Sequence, residues 1–129
     1  MAQFKIFGLD RALIPRREAL SDALHGAAMA ALGLPETKRF HRFFPMQREN
    51  LIIPADRGED YTIIEVSLFA GRTRETKTLL MGEIFRRFET ELGIAPGDVE
   101  ITLTETPREN WGIRGLPGDE LDLPYRVER

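Results

Sequence analysis

The chain has 129 residues, 42% hydrophobic and 30% charged, with a formal net charge of −3. That length supports one domain with a real core, and the acidic balance argues against broad nucleic-acid binding. With no cysteine, disulfides, thiolate catalysis and zinc–thiolate sites are excluded; no apolar run approaches the roughly 20 residues needed to span a bilayer.

The amino terminus, Met-Ala-Gln-Phe-Lys, has no signal-peptide layout and runs directly into a strand pattern, so a cytoplasmic location is expected. The first strand is read as Gln3–Phe7, with Phe4 and Ile6 on one face. A helix is predicted from Pro15 to Leu32, with proline suited to its first turn and Gly33 to the left-handed position after its end. Its inner face, Leu20, Ala23, Leu24, Ala27, Ala28 and Ala31, is mostly small and allows close approach to a sheet. A second strand, Arg39–Phe44, leads into a long connection through Asn50-Leu51-Ile52-Ile53-Pro54. A third strand, Tyr61–Phe69, alternates Ile64, Val66 and Leu68. The second helix is predicted to start after Thr73 as N-cap, with Glu75 favourably placed in its first turn, and to end at Leu92 before Gly93. A fourth strand, Val99–Thr104, alternates Val99, Ile101 and Leu103. The remainder, 107–129, is rich in Gly, Pro and charge and reads as a tail or extended arm.

Two stretches repeat at an offset of sixty positions: Phe4, Ile6, Leu20, Leu24 and Leu32 recur as Ile64, Val66, Leu80, Ile84 and Leu92, and Gly33 recurs as Gly93. A unit of that length suits a duplicated strand–helix–strand, which needs about 30 residues or more. The expected organisation is one domain, 1–129, with pseudo-repeats 1–59 and 60–106 and a tail 107–129. The expected fold class is α+β, a four-stranded mixed sheet with both helices on one face. The opposite face would carry Phe7, Phe43, Ile63 and Phe69 among polar Glu65, Thr102 and Thr104, and an uncovered, partly apolar face implies a homo-oligomer that the tail helps to cover.

The repeats differ after their first strands. Where the first has Ala12 and Ile14, the second has Arg72 and Arg74. A loop entering a helix offers free N–H groups and the positive end of the dipole, and guanidinium groups there make a carboxylate or phosphate site. Solvated loop arginines are the plainer reading of the same residues. His25 has no second histidine at i+4 to form a metal pair and reads as a structural helix residue. No metal site, Ser/His/Asp elbow or glycine-rich phosphate loop is visible, and no cofactor is expected.

Ser21-Asp22-Ala23-Leu24-His25-Gly26-Ala27, Leu32-Gly33-Leu34-Pro35, Arg39-Phe40, Glu49-Asn50-Leu51-Ile52-Ile53-Pro54, Ala70-Gly71-Arg72-Thr73 and Glu109-Asn110-Trp111 together resemble the tautomerase superfamily in order and spacing. The similarity runs to about residue 115 and looks closest to the longer, duplicated members, including malonate semialdehyde decarboxylase. It implies a tautomerase/macrophage migration inhibitory factor-like homotrimer with the sheets facing the threefold axis and strands one and three antiparallel at the centre of each sheet. It also implies that the chain start lies beside Arg72 and Arg74. In the family a terminal proline amine moves the proton, and arginines matching Arg72 and Arg74 hold the carboxylate and polarise the carbonyl of small 2-oxo or 3-oxo acids.

The chain departs from that pattern at Ala2, which stands in place of the proline, and at Lys38, where the decarboxylase carries an aspartate. If Met1 is removed, Ala2 supplies a primary amine with a reference pKa of about 7.7–8.0, able to accept a proton or form a Schiff base. If Met1 stays, Ala2 has only an amide nitrogen. The candidate catalytic residues are therefore Ala2, Arg72 and Arg74. Lys38 and Trp111 join the arginines as candidate substrate-binding residues, and Phe4, Trp111 and Ile113 are candidate apolar walls. Packing of the tail is an equally good reading of Trp111. The expected function is carboxylate binding by a homotrimer, with keto–enol tautomerase or decarboxylase-like proton transfer weakened or altered by loss of the proline. The alternative is a non-catalytic carboxylate-binding or assembly module derived from a tautomerase. A third reading, RNA binding through Lys38-Arg39-Phe40-His41-Arg42-Phe43-Phe44, lacks the glycine spacing of an RNP1 signature. Neither nucleic acid nor a membrane is an expected partner.

Overall fold

The computed structural model describes residues 2–127. Strand β1 (Ala2–Leu9) is followed by a one-turn helix α1 (Asp10–Leu13), a 3-10 turn (Ile14–Arg16) and the long helix α2 (Arg17–Leu32). The helix predicted from Pro15 thus begins later, behind a break. Pro15 has no N–H with which to continue the ladder from α1, so the chain tightens into 3-10 geometry before α2 starts. Strand β2 (His41–Met46), β3 (Thr62–Phe69), α3 (Arg74–Leu92) and β4 (Val99–Thr106) complete the main body. Thr73 caps α3 by accepting a hydrogen bond from Thr76 N–H at 3.1 Å. Both long helices end on a left-handed glycine, Gly33 at φ 67° and Gly93 at φ 69°.

The sheet order is β2-β1-β3-β4. β1 runs parallel to β2 and antiparallel to β3, and β3 runs parallel to β4, so β1 and β3 form the central antiparallel pair. Helices α2 and α3 pack on each other and cover one sheet face. Phe4, Ile6, Ile64, Val66 and Leu68 meet Leu20, Ala23, Leu24, Ala27, Ala28, Leu80, Ile84 and Phe88 in one core. Burial of each large apolar side chain contributes about 1.5–3 kcal/mol. The alanines of α2 let the helix backbone approach the sheet closely.

The two faces differ from expectation at strand β2. Phe43 is paired in register with Ile6 and packs against the core, while Phe44 pairs with Phe7 and stacks on it at 4.7 Å on the open face. A one-residue difference in which aromatic faces the helices reverses the strand, and register with β1 decides it. Phe69, also expected on the open face, is 0% exposed because the carboxy-terminal segment covers it. The tail is likewise more ordered than its composition suggests. It holds a 3-10 turn (Arg108–Asn110), a short hairpin of β5 (Gly112–Ile113) and β6 (Leu116–Pro117), and a further 3-10 turn (Gly118–Glu120). The hairpin turns through Arg114 and Gly115, both at positive φ (50° and 87°), the backbone that two-residue hairpin loops require.

His25 is buried, and its Nε2 bonds the Glu36 carbonyl at 2.8 Å, a structural tie between α2 and the chain that follows it. Ser21 on α2 bonds His41 Nδ1 at 2.7 Å and accepts from Arg39 at 3.0 Å, fixing the start of β2 to the helix. No helix among the described residues is long and apolar enough to cross a membrane.

Candidate active site

The antiparallel pairing sets Ala2 opposite Leu68, near the carboxyl end of β3, where the chain turns towards α3. Gly71, at φ 124°, makes that turn in a conformation that side-chain-bearing residues avoid. Ala70 N–H donates to the Thr106 carbonyl at 2.9 Å and ties the loop to the end of β4. Arg72 follows and is driven inward, 5% exposed, with Nη1 donating to the Phe69 carbonyl at 3.4 Å. Arg74 is exposed as the first residue of α3. The two arginines therefore play unequal parts: one is built into the protein, the other lies at its surface.

Ala2 lines a small cavity together with Leu34, Lys38, Phe40 and Arg114 from the body of the chain, and Leu123, Pro124 and Tyr125 from the carboxy-terminal segment. Two of these residues, Lys38 and Arg114, are cationic. Tyr125 connects this cavity to Arg72. Burial pushes its phenol pKa up, while the charge and hydrogen bonding of the Arg72 guanidinium, with a further contribution from Arg108, pull it back. The amino-terminal strand, Lys38, Arg114, Tyr125 and Arg72 thus belong to one cation-rich corner. Arg114 escaped the sequence reading. Its signal was present in Arg114-Gly115, a pair suited to a tight hairpin that projects the first side chain outward from the turn.

Trp111 and Ile113 line an adjoining opening with Gln3 and Phe40. Phe4, an expected wall, lies instead in the core, 1% exposed, because alternation along β1 turns it towards the helices. Behind this opening, Phe69 meets Trp111 edge-on at 5.0 Å, and Val127, Ile113, Leu123 and Tyr125 close around them. Arg108 braces the arrangement. It donates to the Gly118 carbonyl at 3.1 and 3.3 Å and to the Leu121 carbonyl at 3.3 Å, and lies 5.4 Å from the centre of the Phe69 ring. Among the described residues no group of three or more His, Cys, Asp or Glu side chains is gathered to hold a metal ion.

The fold is that of the tautomerase superfamily, a mixed four-stranded sheet with two helices on one face. The crystal structure of FG41 malonate semialdehyde decarboxylase inhibited by 3-bromopropiolate superposes with a TM-score of 0.80 at 28% identity, over 95% of this chain and 99% of that one. An asymmetric trimer of wild-type fused 4-OT shares the fold at 18% identity, with a TM-score of 0.80 over 91% of this chain and 96% of that one. A probable tautomerase of Ralstonia nicotianae is 33% identical over 64 residues, 50% of this chain and 91% of the relative. Residues 38–114 match the family described as Tautomerase enzyme, and the chain belongs to that family.

Proposed function

We propose that the chain binds small 2-oxo or 3-oxo carboxylates in the corner bounded by Ala2, Lys38, Arg72, Arg114 and Tyr125, and that it moves a proton next to their carbonyl. The observation that carries this reading is the shared cavity of Ala2 and Tyr125, with the buried Arg72 beside the tyrosine. An anion entering there meets guanidinium groups in a site partly screened from water, where each charge-assisted bond counts for more than at the surface.

With Met1 removed, the Ala2 amine sits at the head of β1, and the surrounding cations favour its neutral, basic form. That amine takes a proton from the carbon next to the ketone. Arg72 holds the carboxylate and steadies the charge that builds on the carbonyl oxygen, and Arg74, at the first turn of α3, supplies a weaker outer contact. The ammonium then returns its proton to the oxygen or to the carbon. Lys38, in place of an acidic group, strengthens anion binding at the mouth. The chain is organised as two pseudo-repeats with a carboxy-terminal segment. The relative of about half this length, matched over 91% of itself, supports that reading. A homotrimer is the assembly we propose, supported by the open sheet face carrying the Phe7–Phe44 stack and by the trimeric assembly of fused 4-OT.

The test is enolisation of phenylpyruvate by protein whose Ala2 amine has been verified by intact mass. Turnover that follows an amine titration and disappears on amino-terminal acetylation supports the enzyme. A second reading, a carboxylate-binding or assembly module without turnover, is favoured by the alanine at position 2, which lacks the rigid secondary amine. It predicts carboxylate binding, abolished by Arg72→Ala, with no enolisation from the verified amine.

A further inference from the structure

We propose that the carboxy-terminal segment 121–127 is a built-in occupant of the anion site, with the Tyr125 phenol standing beside Arg72 in the place of a ligand carboxylate, so that ligand enters only as the segment leaves. The inference rests on the proposed role of Arg72 and adds regulation to it.

Three observations converge. The cavity left between Ala2, Lys38 and Tyr125 has a volume of about 20 Å³. A single water needs about 10–15 Å³ on the same measure, so even pyruvate, with six non-hydrogen atoms, is too large for the closed form. The segment itself supplies Leu123, Pro124 and Tyr125 to the cavity wall, so its departure enlarges the space beside Ala2, Lys38 and Arg114. Finally, its attachment changes character along its length. Arg108 grips the chain through the Gly118 and Leu121 carbonyls. Beyond Leu121 the segment is held by the Tyr125 phenol beside Arg72 and by apolar packing of Leu123, Tyr125 and Val127 around Phe69, Val127 being 2% exposed. The result is a fixed hinge followed by a peelable strap.

The chemistry favours exchange. A neutral phenol is a weaker partner for a guanidinium than a carboxylate, which adds a full opposite charge and a second oxygen for a bidentate pair. Ligand therefore competes for Arg72 on better terms than Tyr125, and the apolar anchor of Val127 sets the threshold. Affinity in the closed protein is reduced by the fraction of molecules that are open.

Pyruvate binding is measured by calorimetry for the full chain, for a chain ending at Glu120, and for full-length Val127→Asp, which releases the anchor without truncation. Trp111 is the only tryptophan in the sequence and sits against the strap, so its emission reports opening. Expected are at least tenfold tighter pyruvate binding in both released forms and a red shift of Trp111 emission when pyruvate binds the full chain. Equal or weaker binding in folded Val127→Asp, with an unmoved emission in the full chain, overturns the strap and leaves the anion site standing, with the segment as a wall. Absence of pyruvate binding in every form overturns the anion site itself and the strap with it.

Discussion

Ala2 and Tyr125, near opposite ends of the sequence, line the same cavity. Strand pairing brings Ala2 to Leu68, the Gly71 turn brings Arg72 inward, and the hairpin and its Arg108 brace return the segment 121–127 to the same corner. The proposed site is open to control at two places: removal of Met1 would set which amine exists, and the segment 121–127 would set how much room there is.

The two arginines are expected to separate on mutation. Arg72→Ala is expected to remove a buried charge-assisted contact worth about 1.5–3 kcal/mol, roughly 10–150-fold in carboxylate affinity. Arg74→Ala, at an exposed helix start, is expected to weaken binding by less than about fivefold, as surface charges do. Calorimetric titration with pyruvate checks both values, and equal losses for the two variants contradict the assignment.

Ala2→Pro is expected to raise phenylpyruvate enolisation by at least about tenfold in protein lacking Met1. A rigid secondary amine costs less to orient in the transition state, and proline is tolerated as the first residue of a strand. Initial rates at matched protein concentration decide it. An unchanged rate with the amine verified by mass favours the binding-module reading.

Much of this architecture is readable in the residues. Thr73 before α3 and the glycines after both long helices are local signals whose physics is complete within a few residues, and the small-residue face of α2 names its own partner surface. Strand β2 is different: Lys38 to Phe44 alternates basic and aromatic groups in a way that fits either register, and only pairing of Ile6 with Phe43 selects the face. The strap is less legible still. Leu121, Leu123, Tyr125 and Val127 alternate with Asp122, Pro124 and Arg126, but that alternation does not name the surface it covers, which is set by Phe69, far away in sequence, together with Trp111. A further repeat, Arg48-Glu49-Asn50 and Arg108-Glu109-Asn110, recurs at the sixty-residue offset and forms a 3-10 turn in each half. Those turns lead to different ends, since the first precedes β3 and the second precedes the strap.

Gly118 is expected to resist substitution. A Cβ there would lie 2.6 Å from the Arg108 carbonyl oxygen and 3.0 Å from the Phe69 ring. Overpacking against backbone costs about 1–3 kcal/mol. Gly118→Ala should lower the urea midpoint and shift Trp111 emission before global unfolding. A midpoint matching the native chain would show that the hairpin adjusts freely.

Acid sensitivity is expected from His41. Burial, then the charges of Arg39 and His25, hold its pKa at about 4, against the opposing pull of Asp22. The unfolded chain binds this proton near the ordinary histidine value of about 6.5. The stabilisation is therefore full at neutral pH and is lost as pH falls from about 6.5 towards 4, where the folded protein also takes up the proton. For a half-buried ring, with allowance for solvent screening, the loss is about 1–2 kcal/mol. Urea unfolding at pH 7 and pH 4.5 should show a drop in the native chain that is smaller by that amount in His41→Phe.

The most direct measurement is reductive trapping of pyruvate with cyanoborohydride on protein whose Ala2 amine is free, read by peptide mass. Amine and ketone condense to an imine with loss of water, and the hydride reduces it to a stable secondary amine. Expected is an adduct concentrated on the Ala2 peptide of the native chain and reduced at least tenfold in Arg72→Ala. An adduct spread over the lysines, or unchanged by removal of Arg72, would contradict a shared site for the first amine and the buried guanidinium.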